Sequence, residues 1–325
     1  MKATAKAHTN IALIKYWGKR DEPLILPMNN SLSLTLDGFH TTTSVAFQDR
    51  LTADQFYLNN RLVEGAESRR VSIFLDLIRK EAGRTDVCAE VHSTNHVPTA
   101  AGFASSASGF AALAAAASKA IGLPVNEQEL SILTRQGSGS ACRSIYGGFV
   151  EWEKGTKADG SDSHAVPVAP ADHWDLRVAA VVLSSDEKKV LSREGMKRTV
   201  DTSPFYPAWV QSIPDDLEAI KEGIAEKDFE KVGEIAEANC LRMHATTLAA
   251  NPPFSYWHST TLSIMQAVRQ LRSDGIPAFF TIDAGPNVKV LYTPEHEDII
   301  RNTLQNVPGV HDIKVSRPGQ GVSFI

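Results

Sequence analysis

Apolar positions in this chain follow two periods, and the order in which they alternate outlines its architecture. From Leu32 to Leu36 every second residue is leucine, with Ser33 and Thr35 between, the mark of a half-buried strand. Residues 4–14 mix small, polar and β-branched side chains and predict another strand. Residues 41–47 continue in the same manner beyond an Asp37-Gly38 turn signal. A hairpin is predicted over 49–65, with Asn59-Asn60 at its tip. Over 67–82 the period changes. Val71, Phe74, Leu75 and Ile78 fall at i, i+3, i+4 and i+7, one face of a helix that Gly83 ends. A strand over 87–91 leads into a loop of small residues and an Ala-rich helix, stopped at Gly122-Leu-Pro124. Residues 126–135 predict a helix with Asn126 as cap and Glu129 three residues on. Strands over 146–152 and 166–183 flank a polar stretch.

The later part of the chain is mostly helical. Helices are predicted over 215–226, 228–249 and 259–273, with 209–213 a short further candidate. An apolar strand over 277–282 then ends on Asp283-Ala-Gly-Pro-Asn287. A returning strand over 288–292, a helix over 295–306 and strands over 310–316 and 322–325 follow. Helices, two strands, a helix and a strand match a split βαβ layout. Hairpins mixed with helices, rather than regular βαβ repeats, predict an α+β protein and not a doubly wound sheet. Composition shifts near residue 184, where Lys188, Lys189, Arg193, Lys197 and Arg198 crowd one stretch. Two domains are therefore expected, 1–184 and 185–325.

Composition narrows the function. At 325 residues with 42% apolar content the chain is long enough for two cores. A net charge of −5 argues against bulk binding to nucleic acid or an anionic membrane. The longest apolar run, residues 110–117, is mostly alanine and too short to span a bilayer. Residues 11–14 are too few for a signal-peptide core. Cys88, Cys142 and Cys240 form no CxxC pattern, so reduced thiols and a cytoplasmic location are expected.

The chemistry gathers on loops. Pro98-Thr-Ala-Ala-Gly102-Phe-Ala-Ser105-Ser106-Ala-Ser108-Gly109 places small residues and three serines where a helix begins. No acidic residue occurs between Glu90 and Glu127. Open backbone N–H groups and the helix dipole there suit a phosphate, and serine hydroxyls add donors or metal ligands. The same residues also suit a serine-capped, closely packed helix. The stretch is neither a Walker A loop nor a Rossmann fingerprint. Lys15-Tyr-Trp-Gly-Lys19-Arg20-Asp21 suits an anionic ligand or a basic turn with packed aromatics. Gln136-Gly-Ser138-Gly-Ser140-Ala-Cys-Arg143 offers a second small-residue turn, and the planar fork of Arg143 fits a carboxylate or phosphate as well as a salt bridge. Asp283, after an apolar strand, is a general-base candidate or a turn residue before Gly-Pro. Histidines show no metal spacing, and no GxSxG elbow is present.

Taken together these segments resemble a known family. Pro98-x-x-x-Gly102-x-x-Ser105-Ser106-Ala107 is similar to the phosphate loop of the GHMP kinase superfamily. More specific are Ala7-His8-Thr-Asn10-Ile11-Ala-Leu-Ile-Lys15-Tyr16-Trp17-Gly18-Lys19, Asn29-Asn30-Ser31-Leu-Ser33, Gly137-Ser-Gly-Ser140-Ala-Cys-Arg143-Ser, Ser192-Arg193-Glu-Gly-Met196 and Asp283-Ala-Gly-Pro-Asn287-Val. These resemble the diphosphomevalonate decarboxylases and run in order from residue 7 to 288. The resemblance implies a two-domain GHMP-kinase-like fold. Its N-terminal domain would be ribosomal-protein-S5-like and its C-terminal domain a ferredoxin-like split βαβ, with the active site in the cleft between them. It implies ATP and Mg²⁺ as cofactors, a small-molecule substrate and a homodimer. The implied reaction takes mevalonate 5-diphosphate, with ATP, to isopentenyl diphosphate, carbon dioxide, ADP and phosphate.

Residue by residue, the resemblance places the ATP phosphates on Gly102, Ala104, Ser105, Ser106 and Ser108, with Ser93 and Asn95 near the nucleotide and Ser106 as the metal contact. Tyr16, Trp17, Lys19, Ser138, Ser140, Arg193 and Met196 would line the substrate site, Lys19 and Arg193 neutralising the diphosphate. Arg143 would grip the C1 carboxylate and Ser192 order the substrate or the γ-phosphate. Asp283 would orient or deprotonate the 3-hydroxyl. The competing expectations are a mevalonate or phosphomevalonate kinase that stops at phosphorylation, and a catalytically silent relative that senses a phosphorylated metabolite.

Overall fold

The structure, a computed structural model of the chain, describes residues 1–96, 105–183 and 190–325. The first part contains strands β1 (Lys2–Ile14), β2 (Lys19–Asp21), β3 (Leu26–Pro27), β4 (Ser31–Gln48), β5 (Gln55–Leu58) and β6 (Arg61–Leu62), helix α1 (Ala66–Glu81) and strand β7 (Cys88–His96). Helices α2 (Ser105–Ile121) and α3 (Glu127–Gly137), a 3₁₀ turn over Gly139–Ile145, and strands β8 (Phe149–Trp152) and β9 (Ala165–Ala169) complete it. The second part contains strand β10 (Arg177–Val182) and helices α4 (Ser192–Thr202), α5 (Tyr206–Glu226), α6 (Phe229–Leu248) and α7 (Ser259–Ser273). Strands β11 (Phe279–Ile282) and β12 (Val288–Tyr292), helix α8 (Glu297–Gln305), and strands β13 (Asp312–Ser316) and β14 (Ser323–Phe324) follow.

The first sheet is built on the long antiparallel pair β1 and β4. Its order is β14-β1-β4-β7-β5-β6, and the first half of β4 also pairs β8. The Asp37-Gly38 turn expected from sequence does not form, and β4 runs through it as a bulge opposite Thr9. The reason is a tertiary partner. The Asp37 carboxylate accepts from Ser316 Oγ at 3.0 Å, the Arg317 amide at 3.1 Å and Arg317 Nε at 2.8 Å, anchoring the tail that leaves β13. The Asn59-Asn60 tip does form, with both residues at positive φ. Helix α1 buries Val71, Phe74, Leu75 and Ile78, as their spacing predicts. Alanines of α2 are buried against the same core, where small side chains let the helix lie close to β1 and β4. The reciprocal Asn126–Glu129 capping box starts α3.

The second sheet has the order β11-β12-β10-β13, all antiparallel. With α8 between β12 and β13, this is the split βαβ arrangement, and β10 is its first strand. The strand expected over 166–183 is therefore two strands in two different sheets. By strand pairing the chain passes from the first sheet to the second between Ala169 and Arg177. Both segments are apolar, and only their distant partners, β8 for one and β12 and β13 for the other, separate them.

Two helical expectations also change. Helix α4 forms over a segment that the sequence marks by its cations and by the Ser192–Met196 string, with no element predicted there. Of its residues just Gly195 and Thr199 are buried, which leaves little apolar period to read. Helix α5 runs unbroken through Pro214, because one buried stripe of Tyr206, Trp209, Ile213, Leu217, Ile220 and Ile224 spans both sides of the proline. That stripe packs into a core shared by Ile11, Leu13, Trp17, Leu34 and Phe279, which ties the two parts together.

Candidate active site

A cavity of about 360 Å³ opens where the two parts meet. The segment after β1 supplies its first wall. Gly18 turns the chain at φ 97°, and a Cβ there would collide with the Tyr206 hydroxyl, which donates to the Trp17 carbonyl at 2.7 Å. The turn thereby presents Tyr16, Trp17 and Lys19 to the cavity. Burial pushes the Tyr16 phenol well above its usual range, so it stays protonated, and its buried hydroxyl has no hydrogen-bond partner among the described residues. Lys19 pairs with Glu22 at the rim.

The 3₁₀ turn makes the second wall. Asn10 locks it to β1: its Nδ2 donates to the Ser140 carbonyl at 3.0 Å and to Ser144 Oγ at 2.7 Å, and its Oδ1 accepts from Arg143 Nη2 at 3.2 Å. Arg143 also donates through Nη1 to Ser31 Oγ, and its Nε is buried with no partner among the described residues. Burial lowers the Arg143 pKa, opposed by Cys142 and Asp283. A guanidinium fixed on one edge and unpaired on another is set to receive an anionic oxygen. Ser138, Ser140 and Ser106 line the same cavity.

The third wall comes from the second part: Ser192, Arg193 and Met196 of α4, Met243 of α6, and Asp283 beyond β11. The Asp283 carboxylate makes two ion pairs, Oδ1 with Lys15 Nζ at 2.7 Å and Oδ2 with Lys289 Nζ at 3.3 Å. Burial works against its charge, but the two lysines outweigh it and hold the carboxyl well below the usual range. Asp283 keeps 34% of its side chain exposed toward the cavity, whereas both lysines are 2% exposed. Lys15 is further oriented by the Ala12 carbonyl at 2.9 Å. Behind this trio, His244 Nε2 donates to the Ile282 carbonyl at 3.1 Å, and burial lowers the imidazole pKa to about 4, leaving it neutral.

A second cavity of about 150 Å³ adjoins the first and shares Ser106 and Arg70 with it. Phe56, Leu58, Val71, Phe110 and Leu113 give it apolar walls, and Ser93 and Asn95 add polar groups. Thr41 Oγ1 donates to Asn95 Oδ1 at 2.9 Å. Ser106 stands in the first turn of the 17-residue α2, which carries no acidic residue there.

The cavities thus bring together Tyr16, Trp17, Lys19, Ser93, Asn95, Ser106, Ser138, Ser140, Arg143, Ser192, Arg193, Met196 and Asp283. Ser108 is different. It is fully buried, and its hydroxyl bonds Thr41 Oγ1 at 2.8 Å, because two residues beyond Ser106 the helix has turned to face the sheet. Gly102 and Ala104 lie outside the described residues, as does the side chain of Ser105.

Among the polar and charged residues that act at the site, Asn10, Lys15, Arg70 and Lys289 had no role in the sequence reading. Asn10 and Lys15 stand inside a segment already singled out. Lys289, a cation within the apolar run Val288–Tyr292, is a signal in itself. Arg70 carries none, since it reads as part of a solvated helix face. In the structure it donates to the Gly137 carbonyl at 2.8 Å and covers the Phe110 ring at 4.4 Å.

Comparison with known proteins follows the same division. Residues 7–165 match the model of the diphosphomevalonate decarboxylase-like N-terminal domain, and residues 178–317 that of the mevalonate 5-diphosphate decarboxylase C-terminal domain. A diphosphomevalonate decarboxylase of Candida albicans is 39% identical over 94% of this chain and 90% of its own. The crystal structure of mevalonate diphosphate decarboxylase from Staphylococcus aureus superposes with a TM-score of 0.95 at 48% identity, covering 100% of this chain and 98% of that one. A structure described as MDDEF in complex with MVAPP, AMPPCP and magnesium gives a TM-score of 0.94 at 48% identity, covering 100% of this chain and 99% of that one.

Proposed function

The chain belongs to the diphosphomevalonate decarboxylase family, and on that premise we propose that it converts (R)-5-diphosphomevalonate, with ATP, to isopentenyl diphosphate, carbon dioxide, ADP and phosphate, in the mevalonate pathway of isoprenoid biosynthesis. The observation that carries this reading is that one cavity is lined by both Arg143, a buried guanidinium whose Nε has no partner among the described residues, and Asp283, a carboxylate held by two lysines, and is joined through Ser106 to a second cavity.

The residues fit the nucleotide. The second cavity has apolar faces for a planar base and a few polar groups at its edge. Ser106 stands in a first turn whose helix dipole favours phosphate and metal-bound phosphate oxygens. The Ser106 hydroxyl, which lines both cavities, would lend an oxygen to an Mg²⁺ ion held chiefly by the phosphates. Bound ATP and Mg²⁺ supply the phosphoryl group that turns a tertiary hydroxyl, a poor leaving group, into a good one.

In this reading Lys19 and Arg193 neutralise the substrate diphosphate, Tyr16, Ser138 and Ser140 hydrogen-bond it, and Trp17 and Met196 bound its apolar part. Arg143, which lines the cavity, receives the C1 carboxylate. Ser192 orders the groups between substrate and nucleotide. Asp283 accepts the hydrogen bond of the 3-hydroxyl. With two lysines on it the carboxylate is a weak base, so it serves chiefly to aim the hydroxyl and to place negative charge beside C3 as phosphate departs. The reading extends to a homodimer in the cytoplasm. Three free cysteines suit that compartment, and sedimentation velocity tests the assembly.

The deciding experiment supplies ATP with mevalonate, phosphomevalonate and diphosphomevalonate in parallel and measures ADP and carbon dioxide. Carbon dioxide from diphosphomevalonate alone is expected. ADP without carbon dioxide would mark a kinase, and nucleotide binding without turnover would mark a silent relative.

A further inference from the structure

We propose that Lys289 is a positioning residue of the decarboxylation: from behind the cavity wall it holds the second oxygen of Asp283 and thereby aims the first at the substrate. The inference rests on the reading above, in which Asp283 meets the 3-hydroxyl.

Lys289 is the second residue of β12, a strand whose five residues are all buried. Its strand partner is Thr281, two residues before Asp283. Side chains two apart on a strand share a face, so the pairing carries Lys289 to the side of the sheet on which Asp283 emerges. There its ammonium lies 3.3 Å from Asp283 Oδ2 and 3.4 Å from the Asn287 carbonyl. An ammonium is costly to bury without an anion and hydrogen-bond acceptors beside it, and the Asp283 loop supplies both.

The two lysines differ in one respect. Lys15 lines the cavity, and Lys289 does not. Lys15 can therefore meet substrate directly, whereas Lys289 reaches the reaction through the carboxylate. A carboxylate held at one oxygen can swing about its Cβ–Cγ bond. Held at both, it keeps one direction, which is what a reacting hydroxyl requires. Among the described residues, the charged and titratable groups that act on Asp283 are Lys15 from the end of β1, Lys289 from β12, Arg143 from the 3₁₀ turn, and Cys240 and His244 from α6. The last two bond the Ile282 backbone, not the carboxylate. Removing Lys289 leaves Lys15 as the only lysine in contact among the described residues, so burial weighs more and Asp283 protonates at higher pH.

The test uses the full chain with ATP, Mg²⁺ and diphosphomevalonate. Wild-type carbon dioxide release comes first, since its absence would defeat the proposed function and not this inference. Lys289→Met is expected to lower kcat about 10- to 100-fold, to leave KM for both substrates within about threefold, and to move the acid limb of the kcat–pH profile upward. Lys289→Arg keeps a cation and is expected to restore most of kcat with the acid limb near the wild-type position. Thermal unfolding checks the fold, and Lys289→Gln, with a polar head, takes the place of a methionine variant that does not fold. An unchanged kcat, or a lowered kcat with an unmoved acid limb, overturns the proposal and marks Lys289 as a packing residue.

Discussion

Lys15 Nζ lies 2.7 Å from Asp283 Oδ1 although 268 residues separate them. The contact joins the end of β1 to the end of β11, so the cavity's central carboxylate is complete only when both parts of the chain have docked. A shared apolar core holds the two parts together, and this ion pair fixes how the carboxylate sits between them.

Asp283→Asn keeps the shape of that contact and removes its charge. The variant is expected to fold and bind both substrates while losing about a hundredfold to ten-thousandfold in kcat. Carbon dioxide release with thermal unfolding on the same sample checks it. Near-normal turnover would remove Asp283 from the chemistry.

Arg143→Ala is expected to raise KM for diphosphomevalonate about 10- to 100-fold, the loss of a charge-assisted hydrogen bond of about 1.5–3 kcal/mol, with ATP affinity unchanged by calorimetry. Arg143→Lys should not rescue it, because a single ammonium cannot span Asn10 and Ser31 while offering a further edge to the ligand. Equal loss of ATP affinity would place Arg143 on the nucleotide.

Ser106→Ala is expected to act in the opposite sense, weakening ATP about tenfold and leaving diphosphomevalonate binding within about threefold. The hydroxyl sits where the two cavities meet, so an effect confined to diphosphomevalonate would move the phosphate site elsewhere.

Stability should respond to pH in two windows. His244 is depressed in the folded protein from 6.5 to about 4, so the unfolded chain binds its proton first and stability falls as pH drops from 6.5 towards 4. The size is on the order of 3 kcal/mol for this buried ring. Asp283 is also depressed, below its ordinary 3.8, so its contribution is present above that value and is lost as pH falls below it. Melting temperatures from pH 7 to 3 check both. A His244→Asn variant should make the upper window shallower, leaving the part contributed by His40, also depressed to about 4, and by His8, and should leave the lower window; a profile parallel to wild type would remove His244 from the effect.

Gly18→Ala is expected to destabilise by about 2 kcal/mol or more, since it combines positive-φ strain with a collision against Tyr206. Denaturant unfolding measures it. A neutral result would mean that the Trp17–Tyr206 contact yields without cost.

Local signals carried a good deal of this protein. The helix stripe from Val71 to Ile78, the Asn126–Glu129 cap and the Asn59-Asn60 tip each depend on neighbours within a few residues, and each stands as read; the alternation at Leu32–Leu36 does mark a strand, but one buried on both faces, Ser33 and Thr35 included, not half-buried. The family segments did the same for chemistry, because backbone turns and side chains needed at one site recur as short strings. Of the residues they nominated, those described in the structure line the two cavities, apart from Ser108, which α2 turns toward the sheet.

Long-range pairing decided the rest. Nothing near Arg177 tells that its strand leaves the sheet of Ala165–Ala169 to lie between β12 and β13, and nothing near Asp37 shows that Ser316 and Arg317 will convert a turn into a bulge. Sequence alone marked Asp283 as a base or a turn residue. Folding brought Lys15 and Lys289 onto its two oxygens, and a carboxylate's basicity depends on which charges lie within a few ångströms, not on its neighbours along the chain.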